Sequence, residues 1–272
     1  MRRMTPAPLR QQQRPGPAAS PLRWLVSWWE VILFGSALLV LALSPSSYRD
    51  ARTRAALARH TWLDTAPILL GFSMLVALLS VVLTRIVVVT ARSYGLSQYA
   101  LEMVIRVLVL ELIPLTAALF VALRCTIPNG AALAEMRRTG RFAALRRAGV
   151  DPLVREVLPR MLAGAFSAIT LAALSCFVAA VLAYLAVYQL TPAGLPAYTR
   201  MFGHVFNPSV SLIFALKTIF FALAVAIIPM ASGAYEDFAA PSSRESAALQ
   251  GLVRMFAVLL LLEAVSLVGN YY

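Results

Sequence analysis

The sequence predicts an all-α integral membrane protein in which an interfacial N-terminal helix precedes about five transmembrane helices. Three observations lead there. The first is composition: of 272 residues, 60% are hydrophobic and only 13% charged, too little charge to solvate the surface of a soluble domain this long. The second is that apolar residues gather in long blocks rather than one-sided stripes. The third is that most of the arginine is gathered in a few connecting segments.

Taken in order, residues 1–21 form a basic tail rich in Pro, Gln and Arg, a composition that disfavours order. The apolar stretch after it, Leu22–Leu43, contains Glu30 and has no small-residue cleavage site, so it is not a removable signal. Blocks long enough, or nearly so, to cross a hydrocarbon core follow at Pro67–Thr84, Val107–Leu123, Met161–Leu190, Ser209–Met230 and Leu252–Val268. A span needs roughly 20 residues at about 1.5 Å each. No ten-residue segments of alternating polarity occur, which argues against a β-barrel. Residues 22–272 read as a single membrane domain without internal repeats.

Arginine sets the orientation. It recurs in Met1–Arg23, at Arg49, Arg52, Arg54 and Arg59, and through Glu135–Arg160, whereas Tyr94–Tyr99 has no Lys or Arg and Thr191–Pro208 has only Arg200. The positive-inside rule makes the three basic segments cytoplasmic. Both flanks of residues 22–44 are then on one side, so this helix is expected to lie in the interface or re-enter, anchored by Trp24, Trp28 and Trp29, the alternative being an ordinary first transmembrane helix. The expected spans are Pro67–Thr90, Leu101–Ile127, one starting near Pro159, one near Ser209–Met230, and a last one after the polar loop Ser232–Ser246. The N-terminus is then cytoplasmic and Tyr271 and Tyr272 are on the outer side. On the third span, Ala163, Ser167, Leu171, Ser175, Ala179 and Ala183 recur every fourth residue and form a ridge for close helix packing.

The net charge of +12 reads as topology and attraction to anionic lipid, with no nucleic-acid partner. Cys125 and Cys176 sit in apolar runs without metal-ligand spacing, and His60 and His204 form no zinc motif. No Gly-rich phosphate loop with Lys-Ser/Thr is present, Lys217 being the lone lysine, and there is no G-x-S-x-G elbow. What remains is charge inside apolar runs. Glu102 and Arg106, four apart, can pair on one helix. Arg124 can snorkel to the cytoplasmic interface. Glu111, Lys217 and Glu263 lie well inside three different spans, where a lipid-facing charge costs a few kcal/mol. They are either a structural ion pair or the polar lining of a transport path. Ala131–Ala148 is expected as one short basic helix, with Leu133, Met136, Ala144 and Leu145 as its apolar contacts and Gly149 as its end. It is either a lipid-hugging connector or a docking element for a soluble motor.

The run Leu110-Glu111-Leu112-Ile113-Pro114, then Ala122-Leu123-Arg124, Gly149-Val150-Asp151-Pro152-Leu153 and Pro159-Arg160 resembles the MlaE/YrbE permeases, the membrane subunits of ABC systems that move lipids with MCE-domain proteins. The resemblance is strongest over residues 94–183 and extends over 57–272. The family signature is similar to R-E-L-G-P, and here Leu110 and Ile113 replace its Arg and Gly. The resemblance implies an MlaE-like permease domain in a bacterial inner membrane, without its own ATPase or other catalytic site and without a metal. Glu111, Lys217, Glu263 and Arg124 would be substrate-pathway polar residues. Residues 131–150 would be the coupling helix, presenting Glu135, Met136, Arg137, Arg138, Phe142, Leu145 and Arg146. Partners would be an ABC ATPase subunit carrying ATP and Mg, an MCE-domain substrate-binding protein, a second permease copy in a homodimer or heterodimer, and phospholipid or a related lipid. The competing readings are a membrane-embedded lipid-modifying enzyme and a non-transporting scaffold subunit.

Overall fold

The computed structural model describes residues 21–96, 99–234 and 244–271, and every regular element among them is helical. Residues 1–20 of the expected basic tail, residues 235–243 of the expected polar loop, and Tyr272 lie outside the described residues. The elements in chain order are α1 (Pro21–Leu43), α2 (Ala51–Ser93), α3 (Ala100–Arg138), α4 (Arg141–Arg147), α5 (Leu153–Tyr188), α6 (Leu195–Val205), α7 (Pro208–Ala234) and α8 (Arg244–Tyr271). Five of these, α2, α3, α5, α7 and α8, are long and apolar enough to span a bilayer, whereas the apolar part of α1, Trp28–Leu43, is shorter. The all-α class with a shorter N-terminal helix and five long ones is therefore the observed architecture.

The helices sort by what covers them. In the apolar stretch of α3, 61% of residues are buried inside the chain, against 22% in those of α2 and α8. Helix α3 is the central post. Leu70, Met74, Leu78, Val82 and Ile86 of α2 point outward, an apolar exterior that only lipid or another apolar chain can cover. Helix α2 packs along α5, where the small-residue ridge of Ala163, Ser167, Ser175, Ala179 and Ala183 is buried. At one crossing Thr65 and Ser167 share a hydroxyl hydrogen bond of 2.7 Å. Helix α1 lays Val31, Phe34 and Leu38 against the bundle and leaves Ile32, Leu33 and Val40 exposed.

Several helices run further than the apolar blocks. Arg52, Arg54 and Arg59, expected in a loop, belong to the first turns of α2, which Asp50 caps by accepting a 3.0 Å bond from the Arg52 N–H. At 43 residues, α2 is about 65 Å long, roughly twice a hydrocarbon core, so its basic end protrudes. Charged residues at a protruding end are as compatible with helix as with loop. Helix α3 likewise continues through Arg138. The single helix expected at Ala131–Ala148 is therefore two pieces: the end of α3 and the separate α4. They part at Gly140, whose φ of 74° is left-handed, a conformation that costs glycine little. The polar stretch Thr191–Pro208 also contains a helix, α6, that hydropathy does not reveal.

Three stretches are wound as π-helix: Ile105–Leu112, Ala122–Thr126 and Leu153–Val157. Each ends two residues before a proline, at Pro114, Pro128 and Pro159 respectively. Proline has no N–H for the preceding turn, and its ring crowds the carbonyl four residues back, so the turn widens. The sequence places the kinks; the tertiary packing uses them.

Candidate functional site

The site is built around the first of these widened turns. Pro114 cannot donate to the carbonyls of Leu110 or Val109, which are left without their usual helical partner. Both are taken up from other helices: the Leu110 oxygen accepts from Lys217 Nζ at 3.3 Å, and the Val109 oxygen accepts from Cys176 Sγ at 3.5 Å. The same widened turn carries Glu111, which is buried and aims its carboxylate at α7.

Glu111, Lys217 and Glu263 meet there. Lys217 Nζ donates to Glu111 Oε2 and pairs with Glu263 Oε2 at 2.8 Å. Asn270 Nδ2 donates to the other Glu111 oxygen at 3.2 Å. The lysine is 4% exposed and sits 5.7 Å from the centre of the Phe221 ring. An ammonium has three N–H donors; here it hydrogen-bonds two acceptors on α3 and forms an ion pair with Glu263 of α8. The cluster joins three spans, and with both carboxylates ionised it holds one negative charge in excess.

Arg124 is not part of this cluster. It is exposed in the second widened turn of α3. Glu102 and Arg106 pair locally at 2.9 Å. Asn270 escaped the sequence reading, although it lies seven residues after Glu263 and so on the same face of α8.

The basic corner is the second arrangement. Phe142 and Leu133 are buried, Met136 and Leu145 half-buried, and Ala144, Arg138 and Arg146 exposed; Glu135 pairs with Arg138 at 3.5 Å. Arg137 is partly buried. Glu156, which sequence reasoning did not single out, holds the corner to the bundle. Its carboxylate accepts from Arg141 of α4 at 3.3 Å and from Arg160 of α5 at 2.8 Å. Next to it, Arg155 pairs with Asp50, the cap of α2, at 3.1 Å. On the adjoining face Asn129 of α3 donates to Asp64 of α2 at 2.9 Å. Carboxylates surrounded by arginine were the available signal, hidden by the excess of arginine around them.

Behind this corner α3 and α7 touch backbone to backbone. A Cβ on Gly130 would collide with the Pro229 oxygen, and one on Gly233 with the Gly130 oxygen. Glycine alone permits this approach. Among the described residues no group of three or more His, Cys, Asp or Glu is placed to hold a metal ion.

Five long apolar helices, with a charged centre buried between three of them and a basic corner tied to their ends, define a multi-pass membrane protein. The family model described as Permease MlaE matches residues 57–268, and the chain belongs to that family. It is accordingly a membrane permease, a transport subunit rather than an enzyme. No curated protein matches the chain.

Proposed function

We propose that this chain is the permease subunit of an ATP-driven transporter that moves phospholipid or a related lipid between a bacterial inner membrane and a periplasmic MCE-domain partner. In this reading a second permease copy completes the membrane unit. An ABC ATPase subunit, carrying ATP and Mg, docks on the basic corner formed by the end of α3 and by α4. The N-terminus and that corner are cytoplasmic and the C-terminus periplasmic, as the arginine distribution supports.

The observation that carries the reading is the meeting of Lys217, Glu111 and Glu263, which lie on three spans inside the family-matched region. A lipid phosphate can replace a carboxylate on Lys217, and doing so releases α3 or α8 from α7. ATP-dependent movement of α4 reaches the spans through Glu156, which touches α4 and α5 together. A partner that binds one arrangement of these helices better than the other shifts their population.

The test is ATP-dependent transfer of a fluorescent phospholipid in vesicles containing the chain with its ATPase and MCE partners. Lys217→Met is expected to lower transfer at least tenfold while the complex still assembles. Transfer or chemical change of lipid by the chain alone rejects the proposal in favour of an enzyme. The scaffold reading has one observation in its favour: the three charges satisfy one another and are buried, as helix glue requires. Replacing them together by Leu, Met and Leu decides between the two. Intact transfer favours the scaffold and lost transfer the permease.

A further inference from the structure

Outside the charged centre, a groove of about 380 Å³ runs between the second half of α2 and the last turns of α5. Its walls are apolar, with Val88 on one side and Leu182 and Leu185 on the other, and it also contains two arginines, Arg85 and Arg92. These are seven residues apart, two turns along one face of α2. Both are exposed, and neither makes a hydrogen bond or ion pair with a described residue. At the groove floor the Thr84 hydroxyl is fully buried and has no hydrogen-bond partner among the described residues.

Two unpaired guanidiniums on the outer surface of a spanning helix need an anion. Arg85 lies eight residues before the end of α2 at Ser93, or about 12 Å of helix. On a spanning helix a charge that finds no partner is strongly disfavoured. Around the groove the surface is apolar, with Val81, Ile86 and Val89 exposed, so what reaches it in a bilayer is lipid. The anion a bilayer supplies near its interface is the lipid phosphate, which in an anionic lipid has no headgroup ammonium balancing it, and arginine pairs with phosphate in bidentate fashion.

We propose that the groove between α2 and α5 is a binding site for an anionic phospholipid, with its phosphate held by Arg85 and Arg92 and an acyl chain lying along Val88, Leu182 and Leu185. The site lies apart from the Lys217 cluster. It requires only that the chain spans a membrane, not that it transports, so it stands or falls independently of the function proposed above.

The test uses the full chain, equilibrated in detergent with equal amounts of phosphatidylglycerol and phosphatidylcholine. Retained lipid is counted by mass spectrometry of the intact complex. The wild-type chain is expected to retain phosphatidylglycerol preferentially. Arg85→Gln with Arg92→Gln should lower that preference about tenfold or more. Ala186→Trp, which fills the groove from an exposed position, should lower it comparably. An unchanged preference in the double arginine variant overturns the proposal, as does an unchanged preference in Ala186→Trp, since the attraction then needs no groove. Loss of the preference in Lys217→Met, with the arginine variant unaffected, also overturns it by assigning the lipid to the central cluster.

Discussion

Lys217 shows how one residue can depend on three helices. Its ammonium bonds Glu111 and the Leu110 carbonyl and ion-pairs with Glu263, so removing the lysine leaves two carboxylates near each other without a cation. Removing one carboxylate leaves the other pair intact. Breaking a buried pair costs about 3–5 kcal/mol. Lys217→Met should therefore destabilise the chain by about that much, and Glu263→Gln by clearly less, as read by unfolding in mixed micelles. Equal losses would show that Glu263 and Glu111 are not competing for one ammonium. Tyr198, on α6 outside the spans, tests a different contribution. Its hydroxyl donates to the Ala180 carbonyl at 2.8 Å, and burial pushes its pKa up to about 12. The folded state thus keeps the proton longer than the unfolded one. The stability this contributes is complete below about pH 10 and is lost as pH rises toward 12. Tyr198→Phe should flatten the loss of stability over that interval, and a wild-type slope in the variant would contradict the assignment.

At the scale of elements, prolines and glycines decide how the spans meet. Pro114, Pro128 and Pro159 each follow a widened turn, and Gly130 and Gly233 let α3 and α7 come together. Gly233→Ala forces a methyl against the Gly130 carbonyl and should cost about 1–3 kcal/mol. Gly71→Ala, with open space around it, should be neutral or slightly stabilising. Thermal unfolding of the two variants in the same detergent checks the contrast. These features were legible in part. The prolines could be read directly, and the small-residue ridge of α5 indicated which face packs. The division at Gly140 could not be read, because a glycine inside a basic helical pattern permits a break without requiring one. Glu111, Lys217 and Glu263 were each recognisable as costly intramembrane charges. Their meeting depends on contacts between residues as far as 106 positions apart, which no local pattern encodes.

For the whole molecule, length and hydropathy were enough for the class, since a bilayer leaves the backbone few ways to satisfy its hydrogen bonds. They were less informative about where helices stop, because polar ends of α2 and α3 stay helical beyond the apolar blocks. Orientation is testable at this scale. In a chain with Cys125 and Cys176 replaced by alanine, single cysteines at Thr139 and Tyr94, both exposed, should react with an impermeant maleimide from opposite sides. Thr139→Cys should label only when the cytoplasmic face is open to reagent. Labelling of both from one side would refute the arginine-based topology.

The widened turns have a mechanical corollary. A five-residue hydrogen-bonded step holds one amino acid more than an ordinary helical step, so each such place is a slack link in an otherwise stiff rod. Shortening α3 by one residue within Ala122–Thr126 should tighten that link to normal pitch and keep the faces above and below in phase. The same excision between Ile113 and Val121, where there is no slack, should turn Glu111 about 100° away from Lys217 relative to everything downstream. Torque applied at α4 can then be taken up at these links as a change of pitch, leaving the rods between them unbent.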